Sequence, residues 1–174
     1  MNRKTLVIVS RTTLVMLLIA AVVMLGLGLA SLVLVDPPEV SGWLRYVFGR
    51  VFGVVAVSMA AVLGTPAAIG LWAMAGARAE DAVPALSETV RRILAGIAIA
   101  AIAATVVVCL VSGSALAVLN LGLIGLVALA SIGLAGAAAY SPHRVRAILS
   151  GVALLVVAAG TLWVLVRGFL ATPG

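Results

Sequence analysis

Long uncharged apolar runs separated by short polar knots make up almost the whole chain. The longest run, Ile93 to Pro142, holds no Asp, Glu, Lys, Arg or His and lies between Arg91-Arg92 and His143-Arg144. Its fifty residues would make a helix of about 75 Å, against a bilayer hydrocarbon core of roughly 30 Å. The run must therefore cross, turn and cross back. Ser112-Gly113-Ser114 is the polar break near its centre and the expected bend.

The other runs have single-crossing length. Thr12 to Val35 is uninterrupted, and Arg11 is expected at its edge because a central Arg costs about 2.5–3.5 kcal/mol on the insertion scale. Asp36-Pro37-Pro38-Glu39 ends it, since two prolines cannot continue a helix and each restricts the residue before it. The pattern predicts an all-α integral membrane protein, a bundle of five transmembrane helices forming one domain over 1–174. The expected spans are about 12–35, 51–75, 93–111, 115–139 and 145–166. A short interfacial helix is expected near 41–50, where Trp43, Tyr46, Val47 and Arg50 share one face, and a cytoplasmic loop at 77–92. Gly28-Leu29-Ala30 has the small-x-small form of a signal-peptidase site, and cleavage there would leave four spans. The run exceeds the 7–15 apolar residues usual in a signal peptide, which favours a retained helix.

Local signals mark the helix starts. Asp81 is a candidate cap with Pro84 in the first turn, and Glu88 can reach Arg91 and Arg92 at i+3 and i+4. Ser141 followed by Pro142 reads as an N-cap and first helical position for the fifth span.

Small residues recur every four positions on the second and third spans and are frequent on the fourth. Ala56, Ala60, Gly64 and Ala68 lie on the second helix, Gly96, Ala100 and Ala104 on the third, and Gly122, Gly125 and Gly133 on the fourth. Such strips let helix backbones approach closely in lipid, where burial of apolar surface gives no advantage. The sparse polar side chains Ser58, Thr65, Thr105, Asn120 and Thr161, with a kink expected at Pro66, would form the lining of a permease or channel.

Composition agrees with this picture: 65% of the residues are hydrophobic and 9% charged. The net charge of +6 comes from basic residues at the ends of apolar runs, a topogenic pattern and not a nucleic-acid-binding stripe. With the N-terminus inside, the inner segments carry Arg3, Lys4, Arg11, Arg78, Arg91, Arg92, Arg144 and Arg146, and the outer ones Arg45, Arg50 and Arg167. This predicts a cell-membrane protein with a cytoplasmic N-terminus and an external C-terminus. The Ala/Val/Gly-rich, lysine-poor spans have a prokaryotic flavour.

Signs of chemistry are sparse. Every Asp, Glu, Lys and Arg falls at a span boundary or in a loop, so ion coupling through a buried carboxylate is not expected. One cysteine, Cys109, excludes an internal disulfide. His143 is expected about a membrane thickness from Ser112, Ser114 and Cys109, against the roughly 3 Å that proton transfer needs. Glycine-rich phosphate loops and paired-histidine metal motifs do not occur, and Glu80-Asp81 alone supplies too few oxygens for a hard cation. The expectation is a non-enzymatic membrane component with no cofactor. Its partners would be the lipid bilayer and a membrane protein or further copies of itself, bound through helix contacts. The alternative is a small permease or channel for a neutral or hydrophobic solute.

Overall fold

The computed structural model describes residues 3–34, 46–75, 85–111 and 117–170, and all regular structure within them is helical. Five helices are long and apolar enough to cross a membrane. They are α1 (Arg3–Leu34), α2 (Phe52–Ala73), α3 (Glu88–Val111), α4 (Ala117–Tyr140) and α5 (Arg144–Leu170), with a π-helical turn, Tyr46–Val51, leading into α2. The Asp36–Glu39 stop and Trp43 fall in 35–45, the Asp81–Pro84 cap in 76–84 and the Ser112–Ser114 bend in 112–116, all outside the described residues.

Helix α1 begins at Arg3, about two turns before the expected edge, so Arg11 lies inside the helix with its side chain exposed. At α3 the working cap is Ser87: its Oγ accepts the Val90 amide at 3.5 Å, and its carbonyl accepts the Arg91 amide at 3.1 Å. Glu88 pairs with Arg92 at 2.6 Å, an exposed i,i+4 contact worth a few tenths of a kcal/mol. Regular helix starts only at Arg144, with the His143 carbonyl accepting the Ala147 amide at 3.0 Å, so the expected cap Ser141 lies in the preceding turn, where its Oγ accepts the His143 amide at 3.3 Å. Its own amide closes α4 by donating to Ala137 O at 3.0 Å.

Helix α4 packs against each of the other four helices, while the most extensive pairing is α1 with α2. The uncharged hairpin therefore contributes one central helix, and the tightest seam lies elsewhere. Leu17, Ala21, Leu63, Ala67 and Ala130 form a cluster between α1, α2 and α4. Leu94, Ala98, Leu134, Ala138 and Leu154 form another between α3, α4 and α5. Leu14 joins Ala73, Met74 and Ala137 in a third.

Glycines make the close approaches possible. A Cβ on Gly53 would stand 3.0 Å from Gly28 O and 2.6 Å from Leu32 Cγ, and one on Gly28 would stand 2.9 Å from Val57 Cγ2. Leu14 is wedged between two helices: a Cβ on Gly70 of α2 or on Gly133 of α4 would come within 2.7 Å of it. A Cβ on Gly136 would overlap the buried Ser10 side chain.

The small-residue strips do not all face the interior of the bundle. On α2 the buried positions are Gly53, Ala56, Ala60, Leu63, Pro66, Ala67, Gly70 and Ala73, and from Gly53 to Gly70 the seam Gly53, Ala56, Ala60, Leu63, Ala67, Gly70 steps alternately by three and four. Ala56 and Ala60 belong to that seam, Gly64 is at its margin and Ala68 is exposed. A strict four-residue repeat precesses about 40° per step on a helix, so by Ala68 it has left the face on which Ala56 lies. Helix α3 shows the same offset: Leu94, Ala98, Ala101 and Thr105 are buried, Gly96 and Ala100 are exposed and Ala104 is half-buried. On α4, Gly133 packs inward while Gly122 and Gly125 are exposed, with open space around both.

Candidate functional site

Packing is uneven along the bundle, and the unevenness makes a site. On α4 the buried residues run from Ala130 to Ala138, and on α5 they stop at Leu154. The bundle is thus closed at the end that carries Trp72, Ser141 and Arg146 and loosens toward the end that carries Arg50 and Arg167. Between them, α2, α3, α4 and α5 enclose a groove of about 870 Å³, lined on α5 from Leu149 to Thr161 and on α2 from Met59 to Ile69.

Its walls are almost wholly apolar. Leu63, Pro66 and Ile69 come from α2, Val108 from α3, Leu126 and Val127 from α4, and Val152 and Val156 from α5. Val62 and Val156, each 66% exposed, form its rims, so it opens sideways between α2 and α5 and not along a central axis.

Three of the five expected polar-lining residues, Thr65, Thr105 and Thr161, meet at this groove from three different helices. Their hydroxyls are not offered to it. Each donates to its own helix at 2.8 Å: Thr65 to Ala61 O, Thr105 to Ala101 O and Thr161 to Ala158 O. Such back-bonding satisfies the only proton a threonine can give, leaving a surface that behaves as hydrocarbon. Pro66 is in the wall, and lacking an amide it cannot donate to Val62 O. Ser58 is exposed on α2 and is not part of the wall. Asn120 lies in α4, but its side chain is outside the described residues.

The two ends of the groove differ. At the closed end, Arg146 of α5 reaches across to α2, its guanidinium 4.7 Å from the Trp72 ring centroid and Nη1 donating to Ala75 O at 3.3 Å. That bond satisfies a carbonyl left over at the end of α2. At the open end, Arg167 stacks on Trp163 of its own helix at 5.1 Å.

The groups considered for catalysis stay apart. Cys109 is near the end of α3, and His143 precedes α5 at the opposite end, roughly 30 Å away along the helix axis. Among the described residues no three His, Cys, Asp or Glu side chains come together. Two serine hydroxyls, Ser131 of α4 and Ser150 of α5, are fully buried without a hydrogen-bond partner, and neither is in the groove wall.

The comparisons with known proteins add no relative: no family model, curated protein or solved structure matches this chain.

The groove was not foreseeable as a shape. Its threonines stood out as polar residues in apolar runs, but the wall is defined by Val62, Val152, Val156 and Gly160, which look like any other span residues.

Proposed function

We propose that the protein is a non-enzymatic integral membrane protein that holds a hydrophobic guest in the lateral groove between α2 and α5. The observation that carries this reading is the convergence of four helices on an apolar cavity of about 870 Å³, within the usual range for small-molecule sites. The threonine back-bonds support a hydrophobic guest over a polar one, because among the described residues a polar solute would find no free hydroxyl donor there. The bilayer itself is part of the proposal, supported by five sufficiently long apolar helices. So are the cell-membrane location and the orientation with the N-terminus inside, supported by the excess of basic residues on the segments assigned to that side. The groove would then open toward the outer leaflet. Arg11, exposed near the inner boundary, would extend its long side chain to the headgroups.

The test is binding of a fluorescent fatty-acyl probe to the purified protein in detergent. Val156→Trp/Gly160→Phe fills the groove from its exposed rim and should reduce binding at least tenfold while the unfolding midpoint is retained. Unchanged binding by the folded double variant would remove the groove from consideration.

A second reading, assembly through helix contacts, is favoured by Gly96 and Ala100 on α3 and by Gly122 and Gly125 on α4. All four are exposed, and the glycines have open space around them. In this reading the partner would be a membrane protein or another copy of the chain. Ala60 and Gly64, by contrast, face α1 and are occupied within the fold, Gly64 lying 3.4 Å from Ala21 Cβ by its would-be Cβ. Gly96→Leu or Gly122→Leu should then lower the detergent-extracted mass of the native assembly.

A further inference from the structure

The groove runs along the bundle, and its two ends carry different fittings. On α5 it is lined from Leu149 to Thr161, a rise of about 18 Å. A hydrocarbon chain lying along it would meet an apolar wall over that whole length.

The groove-lining face of α5 continues beyond the groove. Leu149, Val156 and Gly160 are followed by Trp163 and Arg167 at spacings of seven, four, three and four, which keep all five on one helical face. Trp163 is 61% exposed, and Arg167 is exposed and stacked on it. Arg50, exposed in the turn that opens α2, stands at the same end. The single carboxylate among the described residues, Glu88, is at the opposite end and paired with Arg92. Asp36 and Glu39 fall in 35–45, outside the described residues. The open end of the bundle therefore carries an interfacial aromatic ring and two guanidiniums, with Trp163 and Arg167 on the same α5 face as the groove wall. The closed end is shut by Arg146 over Trp72, whose guanidinium is already bonded to Ala75 O.

Resting on the reading of the groove as a hydrophobic site, we infer that its occupant is an anionic phospholipid. One acyl chain lies between α2 and α5 with its tip toward Trp72, the phosphate sits at Arg167 and Arg50, and the Trp163 ring is at headgroup level. Guanidinium supplies the paired donors that a phosphate accepts, and tryptophan prefers this depth.

The experiment uses the full chain in detergent micelles with phosphatidylglycerol or phosphatidylcholine, each carrying a photoreactive group midway along one acyl chain. Labelled peptides are mapped by mass spectrometry. Phosphatidylglycerol should label the Val152–Thr161 and Met59–Ile69 segments about fivefold more than phosphatidylcholine at equal mole fraction, the effect of about one basic side chain near the headgroups. Arg167→Gln should reduce it to the phosphatidylcholine level, Arg167→Lys should retain most of the preference, and Arg92→Gln at the far end should change nothing. Equal labelling by both lipids in the unmodified protein, or an equal loss in Arg92→Gln, overturns the headgroup assignment and leaves the groove reading standing. Unchanged labelling of these segments in Val156→Trp/Gly160→Phe overturns the groove reading itself.

Discussion

Arg146 bridges from the start of α5 to the end of α2, with its guanidinium carbon 4.7 Å from the Trp72 ring centroid and Nη1 3.3 Å from Ala75 O. Two features that are weak alone act together here. A cation over an indole is worth about 0.5–1 kcal/mol when exposed. A charged donor on a helix-terminal carbonyl adds a favourable interaction with the helix dipole. Arg146→Gln should therefore lower stability by about 1–2 kcal/mol and loosen the closed end. The check is the unfolding midpoint in detergent, together with the emission of Trp72 in a background where Trp43 and Trp163 are Phe. Arg144→Gln, an exposed neighbour, should leave both unchanged.

The contact of α1 with α2 makes a sharper prediction. A side chain on Gly53 meets Leu32 and the Gly28 carbonyl, and a backbone carbonyl cannot move aside cheaply. Gly53→Val should cost about 1–3 kcal/mol through overpacking. Gly96→Val faces open space and should be neutral within about 0.5 kcal/mol. Thermal unfolding of the two variants side by side tests whether the close approach lies where the structure has it.

These two glycines also show what was legible in the sequence. Five apolar helices could be read from run length alone, because a bilayer sets the length scale. Ser141-Pro142 marked the turn that precedes α5, within three residues of its start at Arg144, because turn and capping signals are local chemistry. Which small residues face inward could not be read from a four-residue repeat. Helices that pack over many turns use alternating steps of three and four, as Gly53, Ala56, Ala60, Leu63, Ala67 and Gly70 do. Gly96 and Ala100 fit the simpler repeat and point outward. The groove was hidden for a different reason: it arises where α4 and α5 part from their neighbours, and a lack of packing leaves no mark in residue type.

Leu14 is the knob that α2 and α4 close around, fully buried between Gly70 and Gly133. Leu14→Ala should destabilise by about 2–5 kcal/mol, the usual cost of a core cavity. Gly133→Ala alone should be destabilising because its Cβ would stand 2.7 Å from Leu14. Combined, the two changes should cost measurably less than their sum, since each relieves the other. A double-mutant cycle by equilibrium unfolding reads that coupling directly, and strict additivity would mean that Leu14 does not occupy this position.

The buried hydroxyls of Ser131 and Ser150 offer a test in the opposite direction. Each is removed from solvent without a partner, which costs about 1–3 kcal/mol relative to an apolar group of the same shape. Ser131→Ala and Ser150→Ala should each leave stability unchanged or raise it, as measured by the unfolding midpoint. A loss above about 1 kcal/mol in either variant would mean that its hydroxyl is bonded in the working protein.

The groove threonines separate a hydrophobic guest from a polar one. Because Thr65, Thr105 and Thr161 each donate their proton at 2.8 Å to a carbonyl of their own helix, a guest in the groove meets no free hydroxyl donor among the described residues. Replacing all three by valine retains the branched shape and removes only the hydroxyls. Affinity for a fatty-acyl probe should stay within about twofold or rise, because the wall becomes more apolar at nearly constant volume. A site built to hydrogen-bond a solute would instead lose affinity steeply when its donors were deleted. Probe titration of the triple variant, with its unfolding midpoint as the control for fold, decides between them. A tenfold loss in a folded protein would show that these hydroxyls turn from the helix to the guest.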